Sequence, residues 1–285
     1  MRYNLLKISS SDVSNLMAHS KVVQGHQARK RFGQNFLSDD FYVSKIIESI
    51  APQTDQHIVE IGPGLGAITQ HLIQRAGMLD VIELDRDLIP RLENTFSHYA
   101  NFKIHQSDAL KFDFTQLQTD PEQPLRIVGN LPYNISTPLI FHLLKQRHVI
   151  QDMYFMLQKE VVERICASPG SKQYGRLSVM TQYYCQASML FSVPPGAFSP
   201  PPKVESAIVC LQPYTNLPKA VSDADILAKI VTAAFNQRRK TIRNSLKQWL
   251  QPEDFEKVGL SGTERAERLS LDDFIHICRY VEQSG

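Results

Sequence analysis

The run His57-Ile58-Val59-Glu60-Ile61 passes directly into Gly62-Pro63-Gly64-Leu65-Gly66, and this junction constrains the fold more than any other part of the 285-residue chain. An apolar run that stops at alternating glycines marks a strand turning sharply into a helix, in the first βα unit of a parallel sheet. Glycine reaches φ > 0 without a steric penalty and lets a ligand approach the backbone. A second apolar run, Leu79-Asp80-Val81-Ile82-Glu83, ends on a carboxylate placed to accept both hydroxyls of a ribose. The two runs together predict a nucleoside site at the carboxyl edge of a parallel sheet.

Spacing then selects among nucleoside cofactors. Dinucleotide sites read G-x-G-x-x-G, whereas this turn reads G-x-G-x-G and contains Pro63, which has no N–H to offer a phosphate. S-adenosylmethionine carries no phosphate and suits such a turn. Asp108, at the end of a third run (Phe102 to His105), can accept the exocyclic amine of the cofactor's adenine. It can equally cap a helix, and the two roles are compatible.

A fourth run, Leu125 to Val128, leads into Gly129-Asn130-Leu131-Pro132-Tyr133. In a doubly wound sheet ligands sit beyond the carboxyl ends of the strands, and the glycine turn, Glu83, Asp108 and Asn130 all fall at such ends. The tetrapeptide Asn130 to Tyr133 suits methylation of an adenine N6. That nitrogen is a poor nucleophile because its lone pair is delocalised into the ring. Acceptors on its two hydrogens, the Asn130 side-chain oxygen and the Leu131 carbonyl, would draw it toward tetrahedral geometry. Pro132 fixes its own φ and biases Leu131 toward extended backbone, so the carbonyl is aimed in advance. Tyr133 offers a face on which a base can stack, a contact worth about 1–3 kcal/mol. Phe198, at the start of Phe198-Ser199-Pro200-Pro201-Pro202-Lys203-Val204, is expected to be held out by the stiff proline loop as a second stacking plate, with a core phenylalanine as the alternative.

Apolar runs alternate with segments of helical spacing, such as Ala67 to Arg75 and Leu88 to Ser97, from about His26 to Pro213. Met153 to Leu157 adds a fifth run, and Ala187 to Val193 with Ala207 to Leu211 reads as an antiparallel pair at one sheet edge. After Pro213 only helical patterns follow, over Asp223 to Leu250 and Asp272 to Glu282. The fold class is therefore α/β: a Rossmann-like methyltransferase sheet, mostly parallel with an antiparallel edge, and a small all-helical C-terminal domain. The expected divisions are a mobile lead over 1–25, a catalytic domain over 26–213 and a helical RNA-binding domain over 214–285.

The four cysteines are scattered singly, and no ligand-spaced Cys/His group occurs, so reduced thiols and no metal are expected. No apolar run approaches the roughly 18 residues of a membrane span, and the first 25 residues hold no secretory h-region. A cytoplasmic protein without membrane contact is expected. The net charge of +2 demands no nucleic acid by itself. Two local segments do suggest one: Arg29-Lys30-Arg31, and Asn236 to Lys247, which contains no acidic residue. On a single helix Phe235, Ile242, Leu246 and Leu250 would form the buried stripe. Arg239, Arg243 and Lys247 would then line another face beside Arg238 and Lys240. A merely solvated basic face is the alternative, but both segments flank a site suited to a nucleobase.

With these residues assembled, the chain resembles the small-subunit (16S) ribosomal RNA adenine N6-dimethyltransferases, over Gln24 to Gly285. The resemblance rests on Lys30-Arg31-Phe32-Gly33-Gln34-Asn35-Phe36-Leu37, Glu60 to Gly66, Val81-Ile82-Glu83-Leu84-Asp85, Gly129 to Ser136, Phe198 to Val204 and Asn236 to Leu246. It implies two successive N6 methylations on each of two adjacent adenosines near the 3′ end of 16S rRNA, during ribosome biogenesis. By resemblance, Asn35 and Leu37 hold the methionine part of S-adenosylmethionine and the turn at Gly62 and Gly64 lies against it. Glu83 takes the ribose, Asp108 the adenine, Asn130 serves both cofactor and target, and Leu131 and Pro132 help position the amine. Tyr133 and Phe198 would sandwich the target base. The partner implied is the small ribosomal subunit, and a monomer is expected. The lead over Met1 to Gly25 is longer than is usual in the family. Rival readings are a non-catalytic assembly factor, a large-subunit methyltransferase of the resistance type, a DNA adenine methyltransferase and a nicotinamide oxidoreductase.

Overall fold

Runs rich in Ile, Val and Leu at successive, rather than alternate, positions belong to strands covered on both faces, and the central strands here follow that pattern with a few buried charged residues among them. The computed structural model describes residues 22–23, 26–27, 35–237 and 239–284. Nearly all of the expected lead, and Arg29, Lys30, Arg31 and Arg238, lie outside the described residues.

The first described elements are the short antiparallel pair β1 (Val22–Val23) and β2 (His26–Gln27), then β3 (Phe36–Leu37) and α1 (Asp40–Ile50). Next come β4 (His57–Ile61), α2 (Thr69–Leu72), β5 (Met78–Glu83), α3 (Ile89–Phe96) and β6 (Phe102–Gln106). They are followed by β7 (Leu125–Asn130), α4 (Ser136–Lys145), β8 (Ile150–Gln158), α5 (Lys159–Ile165) and α6 (Arg176–Tyr184). β9 (Cys185–Val193), β10 (Phe198–Ser199) and β11 (Ser206–Pro213) complete the strands. Four helices follow: α7 (Ala224–Phe235), α8 (Ile242–Ser245), α9 (Asp254–Lys257) and α10 (Leu271–Ser284).

Seven strands form one sheet in the order β6-β5-β4-β7-β8-β11-β9. The first five are mutually parallel, and β11 runs antiparallel to both β8 and β9. This is the mostly parallel sheet with an antiparallel edge that the apolar runs predict. One face packs on α1 and α3 through Ile46, Ile50, Ile58, Val81 and Leu92. The opposite face packs on α4 and α5 through Val59, Ile127, Leu139, Leu143 and Val162. A third cluster joins α6 to α7 and α10 through Val179, Ile230 and Phe274.

Two charged groups inside the sheet are paired with opposite charge or with imidazole, as burial favours. Arg126 of β7 forms a two-pronged ion pair with Asp152 of β8 (Nε–Oδ1 2.9 Å, Nη2–Oδ2 3.0 Å). Asp80 of β5 lies between His57 (2.5 Å) and His105. Burial would raise its pKa, but the hydrogen bonds from His105 and His57 prevail and hold it at about 2.

Two helical expectations need correction. The helix expected over Ala67 to Arg75 is only α2, because the glycine turn extends into it. The stretch Asp223 to Leu250 is not one helix: α7 ends at Phe235 and α8 begins at Ile242. Between them Thr241 is extended and pairs with Arg265, while the Ile242 N–H donates to the Glu264 carbonyl (2.8 Å). The polar run from Asn236 to Lys240 has no apolar side chain with which to continue the buried stripe. Arg239, Arg243 and Lys247 are all exposed, but they do not lie along one helical face. Phe235 is only partly buried, whereas Ile242, Leu246 and Leu250 are in the core.

Candidate active site

Parallel pairing of β4 with β5 and β7 brings the three loop starts to one end of the sheet. There the glycine turn, Glu83 and Asn130 line a single cavity of ≈300 Å³, at the small end of the usual range for ligand sites, about 300–1,000 Å³. Asn35, Leu37, Gly62, Gly64, Asp108, Leu131, Pro132 and Tyr133 line it as well. Every residue expected to hold cofactor or target is thus gathered there except Phe198.

Gly62, Gly64 and Gly66 all have positive φ. The turn is tied down by the Gly62 N–H donating to the Ile82 carbonyl (2.9 Å). At Gly66 a Cβ would lie 2.8 Å from the Phe96 ring, so helix α3 can close on the turn only if that atom is missing.

Glu83 is 6 % exposed and accepts one backbone N–H on each oxygen, from Asp85 (2.8 Å) and Gly64 (3.3 Å). A carboxylate has about four lone-pair sites, so each oxygen keeps one acceptor position. Burial, reinforced by the Asp85 charge, pushes the Glu83 pKa up against the backbone N–H groups of Asp85, Gly64 and Leu84. Asp108 Oδ1 accepts the Leu110 N–H (3.0 Å), which closes a turn rather than capping a helix, since no helix follows directly, and leaves Oδ2 for a ligand.

Asn130 ends β7, and its amide nitrogen donates to the Asn35 carbonyl (3.0 Å). A carbonyl can only accept, so this bond fixes which end of the amide is nitrogen and leaves Oδ1 as the free acceptor. The Leu131 N–H is taken by the Met156 carbonyl (3.2 Å), while no donor among the described residues bonds the Leu131 carbonyl. The Tyr133 hydroxyl meets Ser206 Oγ of β11 (2.7 Å), which pins the ring from behind, and burial raises its pKa.

Phe198 departs from expectation. It is 4 % exposed and packs in the core on the α1 side of the sheet. Its strand pairs Phe198 with Leu37 and Ser199 with Phe36, and the Ser38 N–H donates to the Ala197 carbonyl (2.9 Å). An aromatic ring gains more from that apolar site than from solvent, so the proline loop clamps the 35–38 segment rather than presenting a stacking plate.

Glu60 lines the cavity too, and sequence reasoning gave it no role. It is 2 % exposed and accepts a hydrogen bond from Thr69 Oγ1 (2.6 Å). Burial raises its pKa to about 7; the Thr69 bond opposes this and the Glu83 charge adds to it. Its position as the only acidic residue of β4, two residues before Gly62, was the available signal. Leu84, 51 % exposed on the cavity rim beside Glu83, was also missed.

The site can hold a nucleoside by its diol and present two acceptors to an amine. Among the described residues no group of three or more His, Cys, Asp or Glu side chains is arranged for a metal ion, and no helix is long and apolar enough to cross a membrane.

The family model described as ribosomal RNA adenine dimethylase matches residues 25–283. The ribosomal RNA small subunit methyltransferase A of Hahella chejuensis is 56% identical over 257 residues, covering 90% of this chain and 94% of that protein. The protein of the same name from Saccharophagus degradans is 58% identical over 255 residues, covering 90% and 95%. Among solved structures, a dimethyladenosine transferase from Plasmodium falciparum superposes with a TM-score of 0.76 at 25% identity, covering 88% of this chain and 98% of that one. A 23S rRNA methyltransferase, ErmE, shares the fold with a TM-score of 0.70 at 23% identity, covering 87% of this chain and 100% of that one.

Proposed function

The chain belongs to the ribosomal RNA adenine dimethylase family, and we propose that it dimethylates N6 of two adjacent adenosines near the 3′ end of 16S rRNA during ribosome biogenesis. The observation that carries this is the meeting of Glu83, the glycine turn and Asn130 to Tyr133 in one cavity.

The donor set fits S-adenosylmethionine: a diol acceptor with open positions, a carboxylate for the adenine amine, and, among the described residues that line the cavity, no Lys or Arg for a phosphate. When bound, this cofactor supplies an electrophilic methyl group on a sulfonium. Glu83 takes the ribose hydroxyls, Asp108 Oδ2 the adenine amine, and Leu84 covers the adenine ring. Asn35 and Leu37, clamped through β10, border the methionine end. The carboxylates of Glu60 and Glu83 favour the positively charged donor over its neutral thioether product.

On the target side, Asn130 Oδ1 and the Leu131 carbonyl accept the two amine hydrogens and free the nitrogen lone pair. Tyr133, held by Ser206, provides the stacking face. The methylated nitrogen is cationic and releases its proton readily to water, so no side-chain base is needed. The cations Arg239, Lys240, Arg243 and Lys247, with Arg29, Lys30, Arg31 and Arg238 outside the described residues, bind the RNA backbone. We take 26–213 as the catalytic domain, 214–285 as the RNA-binding domain and the protein as a cytoplasmic monomer.

The test is transfer of labelled methyl groups from S-adenosylmethionine to small subunits lacking the modification, with naked RNA and adenine-containing DNA in parallel. Two methyls on each of two adenosines, recovered as dimethyladenosine, are expected from the small subunit alone. Incorporation only into large-subunit RNA or DNA would refute the assignment. Cofactor binding without any transfer would favour an assembly factor.

A further inference from the structure

A second concavity, of ≈430 Å³, lies where the C-terminal helices meet the catalytic sheet domain. Its floor is one stripe of α7: Ala228, Thr232 and Ala233. Residues at spacings of three and four share a helix face, and this face lies away from Leu227, Ile230, Val231 and Ala234, which fill the core. The floor is small and flat because the Thr232 hydroxyl turns back to the Ala228 carbonyl (2.6 Å).

The walls have different chemistry. Arg176, at the start of α6, stands over the Phe141 ring at 5.8 Å, and Lys229 rises from α7. Both cations are exposed, and neither forms an ion pair among the described residues. Opposite stands Trp249, whose Nε1 is buried without a hydrogen-bond partner, so packing alone orients the indole. At one end Asn236 offers an amide, and directly after it comes the basic segment with the exposed Arg239 and Lys240. The single carboxylate of the groove, Asp225, lies four residues before Lys229, about 6 Å along the helix axis, at the end of the groove away from Asn236, and forms no ion pair with Lys229.

Two unpaired cations, an aromatic plate and an amide, continuous with a basic segment, match the parts of a nucleotide in single-stranded RNA: phosphate, base face and base edge. We propose that this groove seats an unpaired nucleotide of the ribosomal RNA, stacked on Trp249 with its phosphate held by Arg176 and Lys229. The site rests on the reading that the chain acts on rRNA, and it anchors the substrate away from the reacting adenosine.

Trp249 is the only tryptophan in the chain, so its emission reports on the groove directly. The full-length protein is titrated with a short single-stranded oligouridylate, with binding followed separately by the anisotropy of labelled RNA. Saturable quenching of Trp249 is expected. The double variant Arg176→Gln/Lys229→Gln should bind about tenfold more weakly, with a salt slope flatter by about 1.4 for two lost single-strand contacts. Its melting temperature and its affinity for S-adenosylmethionine should not change. RNA binding that leaves the emission unmoved, or a double variant that binds like the parent, would overturn the proposal. So would quenching by a small-subunit protein but not by RNA. Methyl transfer to subunits, measured alongside, separates the two levels. If transfer succeeds without quenching, only the groove falls. If RNA binding and transfer are both absent, the groove falls together with the rRNA function.

Discussion

Replacing Glu60 by glutamine should stabilise the cofactor-free protein above neutral pH and weaken its hold on the cofactor. Glu60 is 2 % exposed and shares the cavity with Glu83. Its pKa rises from 4.5 in the unfolded chain to about 7 in the fold, because burial disfavours the charged form. A carboxyl with a raised folded pKa binds its proton more tightly when folded. It therefore imposes no penalty below about pH 4.5, a growing one from there to about pH 7, and the full one above. At about 1.4 kcal/mol per pH unit the full penalty is about 3 kcal/mol. Glu60→Gln keeps the volume and an acceptor for Thr69 while removing the charge. At pH 8 the variant should melt higher by about 6–12 °C, given about 2–4 °C per kcal/mol in a chain of this order. Near pH 4.5 the two proteins should melt together. Calorimetric titration should show S-adenosylmethionine binding about tenfold more weakly, equivalent to about 1.4 kcal/mol, with a smaller loss for the neutral thioether product. A melting difference that is the same at pH 5 and pH 8, or a parent protein more stable at both, would refute the electrostatic account.

Asn130→Ala should lower turnover by roughly 10²–10³-fold, the usual effect of losing one positioned transition-state hydrogen-bonding group; single-turnover methyl transfer reads this, and near-parental rates would count against the acceptor role. Gly66→Ala combines a left-handed backbone at φ +85 with a contact of 2.8 Å to Phe96. It should cost about 1–3 kcal/mol in urea unfolding. Gly259→Ala, at φ +76 with nothing within 4 Å, should lose less and isolates the backbone part. For RNA binding, contacts from Arg238, Arg239, Lys240, Arg243 and Lys247 would give a slope of log K against log salt of about −3.5 to −4.5. A slope near zero in filter binding would remove these cations from the interface.

The sheet was legible because strands covered on both faces are dominated by apolar residues, and β4, β5, β7 and β8 are, with Glu60, Asp80, Glu83, Arg126 and Asp152 as the buried exceptions. The cavity followed from topology: once those strands are parallel, Glu83, Asp108 and Asn130 must share one end. What escaped depended on long-range contacts. The break between α7 and α8 is made by Thr241 pairing with Arg265, and no local propensity reports that bridge. Phe198 was misplaced because a proline-rich flank says that a loop is stiff, not which way it faces. Glu60 went without a role because a carboxylate beside glycines shows its significance only when its burial and its distance from Glu83 are known. Trp249 lies in a groove whose walls come from residues more than seventy positions apart, Arg176 and Trp249.

The pairings of β11 differ on its two sides. Against β8 the register runs unbroken from Ser206 to Leu211, whereas against β9 it shifts between Ile208 and Val209. A bulge takes up a surplus residue by bending one strand locally. The outermost strand therefore behaves as a compliant layer, and a length change in β9 can be absorbed at that point. The inner ladder, which holds Ser206 against Tyr133, transmits none of this slack. Variation at the sheet margin is thereby decoupled from the angle at which the target base is held.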